Sequence, residues 1–409
     1  MVGRRLAVGA LLAASAAASQ AMAAPNDKAP PVDRFSVNVS ARAEYNTNIS
    51  GASEAEARAR GITVEDWVYT PTVSVNLNLP VGRQVVFLHG SAGYLFHDQN
   101  KSLDSERITV DTGVRGRISI CNVTLGGNYQ RSLSSLDDIV LGPTIDNILE
   151  VKSLGATAVC ARKTGFGLTG TVTQEWGDNN TTLLRTQDYE STTYTGGVVY
   201  SRPRFGTVTV FGRHQRIEYV HRIPGGGVLG GPNGYESNTG GVSYERHLGA
   251  RIDGTVSTSY TSVDSLGPPI VGVTSGDFNG FTYSLNARYR VTNRLTTEFL
   301  FSREVSPSNR FGDSYDLSES YEVRGSYNFG SRITGNLGYQ HRNVDSKGGQ
   351  IFAGNLTDSR STVVSGGLTY HQSKRVSLNL DAAHEEREAN DPRFNYDNTR
   401  VGISASVDY

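Results

Sequence analysis

The stretch Phe281–Phe301, FTYSLNARYRVTNRLTTEFLF, decides the fold. In its first arm Phe281, Tyr283, Leu285, Ala287, Tyr289 and Val291 alternate with Thr282, Ser284, Asn286, Arg288 and Arg290. After the tight connection Val291–Arg294 the alternation resumes, with Leu295, Thr297, Phe299 and Phe301 set against Thr296, Glu298, Leu300 and Ser302. A period of two sends the two sets to opposite faces of a strand. A soluble sandwich would turn the apolar set toward a core. Here the other face carries Arg288, Arg290 and Glu298, and aromatic rings mark the ends of the apolar one. Lipid on one side, water on the other and aromatic rings at both interfaces is the pattern of a membrane-barrel hairpin.

The module recurs along the chain. The first strand, Phe35–Tyr45, points Phe35, Val37, Val39, Ala41, Ala43 and Tyr45 outward and Ser36, Asn38, Ser40, Arg42 and Glu44 inward. Trp67–Leu79 turns at Pro80–Arg83 into Val85–Phe96. Further strands are expected near 105–117, 121–132, 148–160, 164–176, 189–201, 205–220, 235–246, 250–263, 279–291, 294–304, 317–329, 332–344, 358–371, 374–387 and 395–409, for a total of about eighteen. An even number suits a bacterial single-chain barrel. Connections near 80–83, 161–164, 202–204, 247–249, 292–293, 330–331 and 372–373 are short. Those near 46–65, 132–148, 177–188, 221–234, 264–278, 305–316, 345–357 and 388–394 are long and rich in Gly, Asp, Asn and Pro, and Ser53–Arg60 in the first of them is helix-prone. Short periplasmic turns against long outer loops place both termini on the periplasmic side. Tyr45, Trp67, Phe96, Tyr129, Trp176, Phe281, Phe301 and Tyr339 then form an outer girdle, and Tyr200, Phe205, Tyr289, Phe329, Tyr370 and Tyr409 an inner one. The alternation Val401, Ile403, Ala405, Val407, Tyr409 resembles the C-terminal signal by which barrels engage the barrel assembly machinery.

Residues Met1–Ala23 read as a cleaved secretory signal: Arg4-Arg5, an apolar run Leu6–Ala18, and Ala21-Met22-Ala23 before the cut. A short periplasmic lead, 24–33, precedes the barrel, 34–409. No later run approaches the roughly 18 apolar residues of a helical span, so a membrane form must be a barrel. Apolar residues make up 37% of the chain, against roughly 45–50% in soluble domains. A barrel needs only one apolar face per strand, so the deficit is expected. The signal removes two of the 39 basic residues and none of the 40 acidic ones, which leaves 37 against 40; no nucleic-acid surface is implied. The fold class is therefore all-β, a transmembrane antiparallel up-and-down barrel.

Charges on the inward parity are the candidate lumen and selectivity residues: Arg42, Glu44, Arg107, Asp111, Arg115, Arg117, Arg288, Arg290, Glu298, Glu322, Arg324, Arg342, Asp381, Glu385, Arg387 and Arg400. Both signs occur close together, so the set can be a ladder that fixes register and hydrates the wall, a polar track for passing solutes, or both. Cys121 opens one strand of a hairpin and Cys160 ends its partner. Pairing them sets Val123 opposite Ala158 and turns Lys152 outward; a disulfide and two free thiols both stay open. Leu136, Asp137, Asp138 and Ile139 belong to a loop more apolar than solvation requires, a candidate constriction that folds over the mouth or packs on itself. The eight histidines match no hydrolase or metal spacing, and the glycine run Gly225–Gly231 leads into no helix. His341 and His384 share the outward parity near the outer rim, where a barrel enzyme acting on lipid or glycan would need its base. An interfacial histidine is the simpler account. No catalytic group, metal or cofactor is expected, and the partners foreseen are outer-membrane lipid and lipopolysaccharide.

Glu44-Tyr45-Asn46 with Asn48, then Asp66-Trp67-Val68-Tyr69-Thr70-Pro71, Gly82-Arg83 and Tyr94-Leu95-Phe96, carry a resemblance to a known group. They resemble the outer-membrane β-barrel porin family encoded among exopolysaccharide synthesis and export genes. The resemblance implies a passive channel through which a secreted polysaccharide leaves, docked to a separate periplasmic export partner. A general or saccharide-selective diffusion porin, a barrel enzyme and a surface adhesin are the alternatives.

Overall fold

The computed structural model of the chain describes residues 35–134, 146–182, 184–222, 233–249, 251–266, 277–308, 313–347 and 356–409. The signal and lead, the loop residues Leu136, Asp137, Asp138 and Ile139, and the run Gly225–Gly231 lie outside them. The strands are β1 Phe35–Asn46, β2 Asp66–Val81, β3 Gln84–His97, β4 Ser105–Ile118, β5 Cys121–Leu133, β6 Ile148–Cys160, β7 Gly165–Asn179, β8 Tyr189–Arg202 and β9 Gly206–Tyr219. They continue as β10 Gly234–Leu248, β11 Ile252–Leu266, β12 Phe278–Arg290, β13 Leu295–Pro307, β14 Tyr315–Asn328, β15 Ile333–Lys347, β16 Asp358–His371, β17 Val376–Ala389 and β18 Tyr396–Asp408. One helix, α1 (Glu54–Ala59), forms in the first long loop, capped by the Ser53 hydroxyl, which accepts from the Glu56 N–H. All 18 strands join one sheet in chain order, and β18 returns antiparallel to β1, with Val39 opposite Val407 and Tyr45 opposite Val401. Every interior strand therefore finds backbone partners on both sides, as a bilayer demands.

Register carries the two faces around the ring. Val256, Leu285 and Phe301 lie side by side on one face, while Arg288 and Glu298 lie opposite each other on the other. On the first face Leu337 is 73% exposed and Leu168 64%, values that make sense only against hydrocarbon. Aromatic rings flank this belt: Tyr45 with Trp67 and Tyr260 with Phe281 at the long-loop end, Phe166 with Tyr200 and Tyr327 with Phe329 at the short-turn end. The short turns are tight; at the β2–β3 turn Gly82 adopts φ 63°, and Pro80 and Val81 remain within β2. Cys121 and Cys160 face each other at the short-turn end of β5 and β6 and are joined by a disulfide. In that register Lys152 does point outward, between Tyr129 and Trp176, where its ammonium meets Glu150 and Asp178 at 3.2 Å each.

The closing seam is held by a side chain as well as by its ladder. Arg42 of β1 reaches across β18 to Asp381 of β17 and also donates to Glu44. The reach passes directly over Gly402, where a Cβ would come within 2.6 Å of the Arg42 Cζ. The absence of a side chain at 402 is what lets the guanidinium lie flat across the strand.

Two outcomes follow from this geometry. Gly402→Val should push the Arg42 guanidinium off Asp381 and lower the heat-unfolding midpoint on semi-native gels slightly, by the equivalent of about 1 kcal/mol or less, because the pair is part-exposed. Gly325→Val, at a position with open space beyond its backbone, should leave the midpoint nearly unchanged. With single reporter cysteines in vesicles, a membrane-embedded quencher should reach a probe at Leu285→Cys, whereas a probe at Ser284→Cys should answer to a water-soluble quencher. The reverse pattern would invert the barrel.

Candidate functional site

The interior face begins as a ladder of charges. Arg288 donates Nε to Glu298 at 2.7 Å, and Arg324 pairs with Glu322 two residues away. Arg400 meets Glu385 at 3.2 Å, Arg342 donates to the Ser318 hydroxyl at 3.0 Å, and Asp111 faces His89 at 3.6 Å. Arg115 donates to the Asn78 side chain at 3.0 Å and lies over the Phe87 ring, whereas Arg117 turns back to the Ser119 carbonyl at the short-turn rim. Arg387 is buried, facing Ser361 and Tyr396. Arg107 and Arg290 make no ion pair among the described residues. The register puts every charge named from the sequence on this one face, but brings them together as pairs around the circumference, not as one cluster.

Sequence parity passed over other interior groups. Glu175 accepts the Tyr189 hydroxyl at 2.8 Å. Arg213 of β9 and Glu304 of β13 interact by charge, and Glu304 also with Arg342. Arg213 shares the interior face of β9 with the apolar Phe211 and Ile217, so that strand does not read as having a wet side, whereas Glu175 and Glu304 stand at the outer ends of β7 and β13.

The outer mouth departs from a simple cylinder. The β12–β13 ladder stops at Tyr283 opposite Arg303 after eight pairs, against nine at the closing seam and eleven to fifteen between other neighbours. Beyond it Phe278–Thr282 pairs only with β11, and Glu304–Pro307 only with β14. Tyr189, Ile217, Tyr219, Tyr235 and Val263, on the interior face of β8–β11, form a buried cluster with Tyr315 of β14, and Phe278 and Val305 pack against it. Val305 and Tyr315 carry the outward parity of their strands, since they lie in line with Arg303 and Glu319. An outward-facing side chain can touch the interior face of another wall only if its sheet lies inside that wall. The free edge of β13–β14 is therefore tucked inside β8–β12, and the mouth is an overlapping roll. Tyr235 and Tyr315 meet at 5.2 Å between ring centroids, the Tyr219 hydroxyl donates to the Ser314 carbonyl, and Arg222 Nη2 donates to the Asp313 carbonyl at 2.8 Å.

Loops cover the opposite side of the mouth. Ser53 N–H donates to the Arg393 carbonyl at 2.8 Å, tying the start of α1 to the β17–β18 loop, and Arg60 stacks over the fully buried Phe394. Asp391 in that loop has its carboxyl held below the usual range by the Arg393 guanidinium, against the opposing effect of burial. Asp66 accepts the backbone N–H groups of Asp98, Gln99 and Asn100 at 2.9–3.0 Å, which orders the β3–β4 connection beneath the same pad. His341 and His384 do stand on the outward face; each ring Nδ1 lies 2.9 Å from a threonine hydroxyl, Thr362 and Thr399. No group of three or more His, Cys, Asp or Glu side chains fit to hold a metal occurs among the described residues.

The sequence model of the family described as "Putative beta-barrel porin 2" matches residues 232–409, the part that takes in β10–β18. No curated protein matches the sequence. Among solved structures, the chain is similar to the outer membrane protein OpdK from Pseudomonas aeruginosa, 13% identical over 92% of this chain and 99% of that one, with a TM-score of 0.47. It is also similar to Pseudomonas aeruginosa OccK2 (OpdF), solved in complex with glucuronate, at 12% identity over 92% and 98% and a TM-score of 0.48. A BenF-like porin from Pseudomonas fluorescens Pf-5 gives 12% identity over 92% and 100% and a TM-score of 0.49.

Proposed function

We propose that the chain is an outer-membrane channel of the diffusion-porin type, selective for small polar solutes such as saccharides, and that it carries out no chemical step. A barrel of 18 strands encloses enough width for an aqueous bore. Its interior face, lined by Arg/Glu and Arg/Asp pairs, Ser and Thr, replaces water around hydroxyl groups while excluding apolar solutes. The observation that carries the selective reading is the narrowed mouth: the tucked β13–β14 edge takes up part of it on one side and the α1 loop pad part of it on the other. The match of β10–β18 to a porin family supports a channel over an enzyme. A conduit for secreted exopolysaccharide, implied by the resemblance in β1–β3, is the second reading; it requires a mouth able to pass a polymer and a separate periplasmic partner. The interior charges named above would then set selectivity by field and not by one binding cluster.

Full-length protein in liposomes should admit monosaccharides faster than oligosaccharides of the same composition. Equal swelling rates for both would point to the polymer conduit. In planar bilayers under a salt gradient, the double variant Arg107→Glu/Arg115→Glu should shift the reversal potential toward cation preference, by on the order of twofold in permeability ratio. An unmoved potential would remove these arginines from the selectivity wall.

A further inference from the structure

The β12–β13 seam holds two arrangements of one edge, and the unused one can be read off the register. Extending the ladder beyond Tyr283–Arg303 sets Thr282 opposite Glu304, Phe281 opposite Val305 and Gly280 opposite Ser306. In that register the parities agree: Val305 joins Phe281 on the outer face, and Glu304 stays inward with Thr282. The observed state forgoes these pairs. Its unpaired backbone is tolerated because Phe281 lies in the outer girdle, 5.5 Å from Tyr260, so the split begins where water and headgroups take over from hydrocarbon.

What holds the tucked state is equally specific. Tyr219 and Arg222 anchor the β14 end through the Ser314 and Asp313 carbonyls, and Tyr315 and Val305 sit in the apolar cluster. One feature of that cluster opposes it. Tyr235 is fully buried, and its hydroxyl has no partner among the described residues. A buried hydroxyl without a partner costs about as much as a lost hydrogen bond. The carbonyl anchors and the charge interaction of Arg213 with Glu304, set against an orphan hydroxyl and an unused ladder, describe a balance, not a locked wall.

We propose that the free edge of β13–β14 is the gate of the pore. It moves between the tucked position, which narrows the mouth, and a position zipped to β12, which restores a full cylinder. This rests on the channel reading. Outward movement carries Val305 and Tyr315 out of the cluster and frees the interior faces of Tyr189, Ile217 and Tyr235 to line a wider entrance.

Single-channel recordings of the full-length protein test this with two substitutions of the same chemistry and opposite expected sign. Tyr219→Phe removes the donor to Ser314 and should raise open probability about fivefold or more. Tyr235→Phe removes the orphan hydroxyl, keeps the ring and should lower open probability by a similar factor. A third variant traps the zipped state. Phe281→Cys/Val305→Cys should form a cross-strand disulfide under mild oxidant, seen by mass spectrometry, and hold the conductance at its upper level until reductant is added. The two single-cysteine variants, which keep the native Cys121–Cys160 bond, control for the reductant. Ordinary current in the wild type with both tyrosine variants unchanged, or shifted in the same direction, overturns the gate and leaves the channel standing. Failure of the 281–305 bond to form in folded, conducting protein does the same. No current from any of the proteins, with heat-modifiable migration showing that they are folded, removes the channel and the gate with it.

Discussion

Backbone hydrogen bonding in a medium without water is the constraint from which the rest of the molecule follows. Each N–H and C=O within the hydrocarbon must find a partner in a neighbouring strand, so the sheet has to close, and it does so where β18 returns to β1. Closure fixes two further things. Side chains must alternate between lipid and lumen, and any break in the ladder must lie outside the hydrocarbon. The shortest ladder among the described residues, between β12 and β13, obeys this rule by ending at the outer girdle.

Closure also explains how charges are spent inside. A wall of strands 4.7–4.9 Å apart brings inward residues of neighbouring strands within reach of one another. Arg288 and Glu298, or Arg42 and Asp381 across the glycine at 402, therefore hold the lumen wall while remaining wet. Such part-exposed pairs contribute modestly to stability. On the proposed channel reading their larger effect is the field along the bore. The narrowed mouth adds shape to that field, through an apolar tyrosine cluster on one side and an ordered loop pad on the other.

Much of this was legible in the amino-acid order. The strand at 148–160 falls where alternation places it, β1 and β13 begin within a residue of expectation, and Ser53–Arg60 holds the α1 helix. The candidate interior charges all occupy one face because a period of two leaves no other choice once the register is set. Arg213 was not legible as an interior group, since the apolar Phe211 and Ile217 share its face of β9 and blur the polar side; Glu175 and Glu304 follow the inward parity of β7 and β13 but stand at the outer ends of those strands, where only the fold shows what they face. The tuck at the mouth left no local trace: Val305 and Tyr315, which the sequence reading leaves in the connection 305–316, continue the outward parity of β13 and β14, yet they are packed inside the opposite wall.

The sequence by itself determined that this is a barrel, how many strands it has and which side chains meet lipid, because each of these depends on local periodicity and on a backbone that must be paired. Only the tertiary structure decided that Arg42 crosses β18 to reach Asp381 and that the β13–β14 edge slides inside β8–β12. Both are contacts between strands that are not neighbours in the ladder. Nothing in a two-residue repeat specifies how far a closed sheet flattens or where its edge overlaps; the packing of tyrosines from β8, β9, β10 and β14 settles that, across a distance the repeat does not encode.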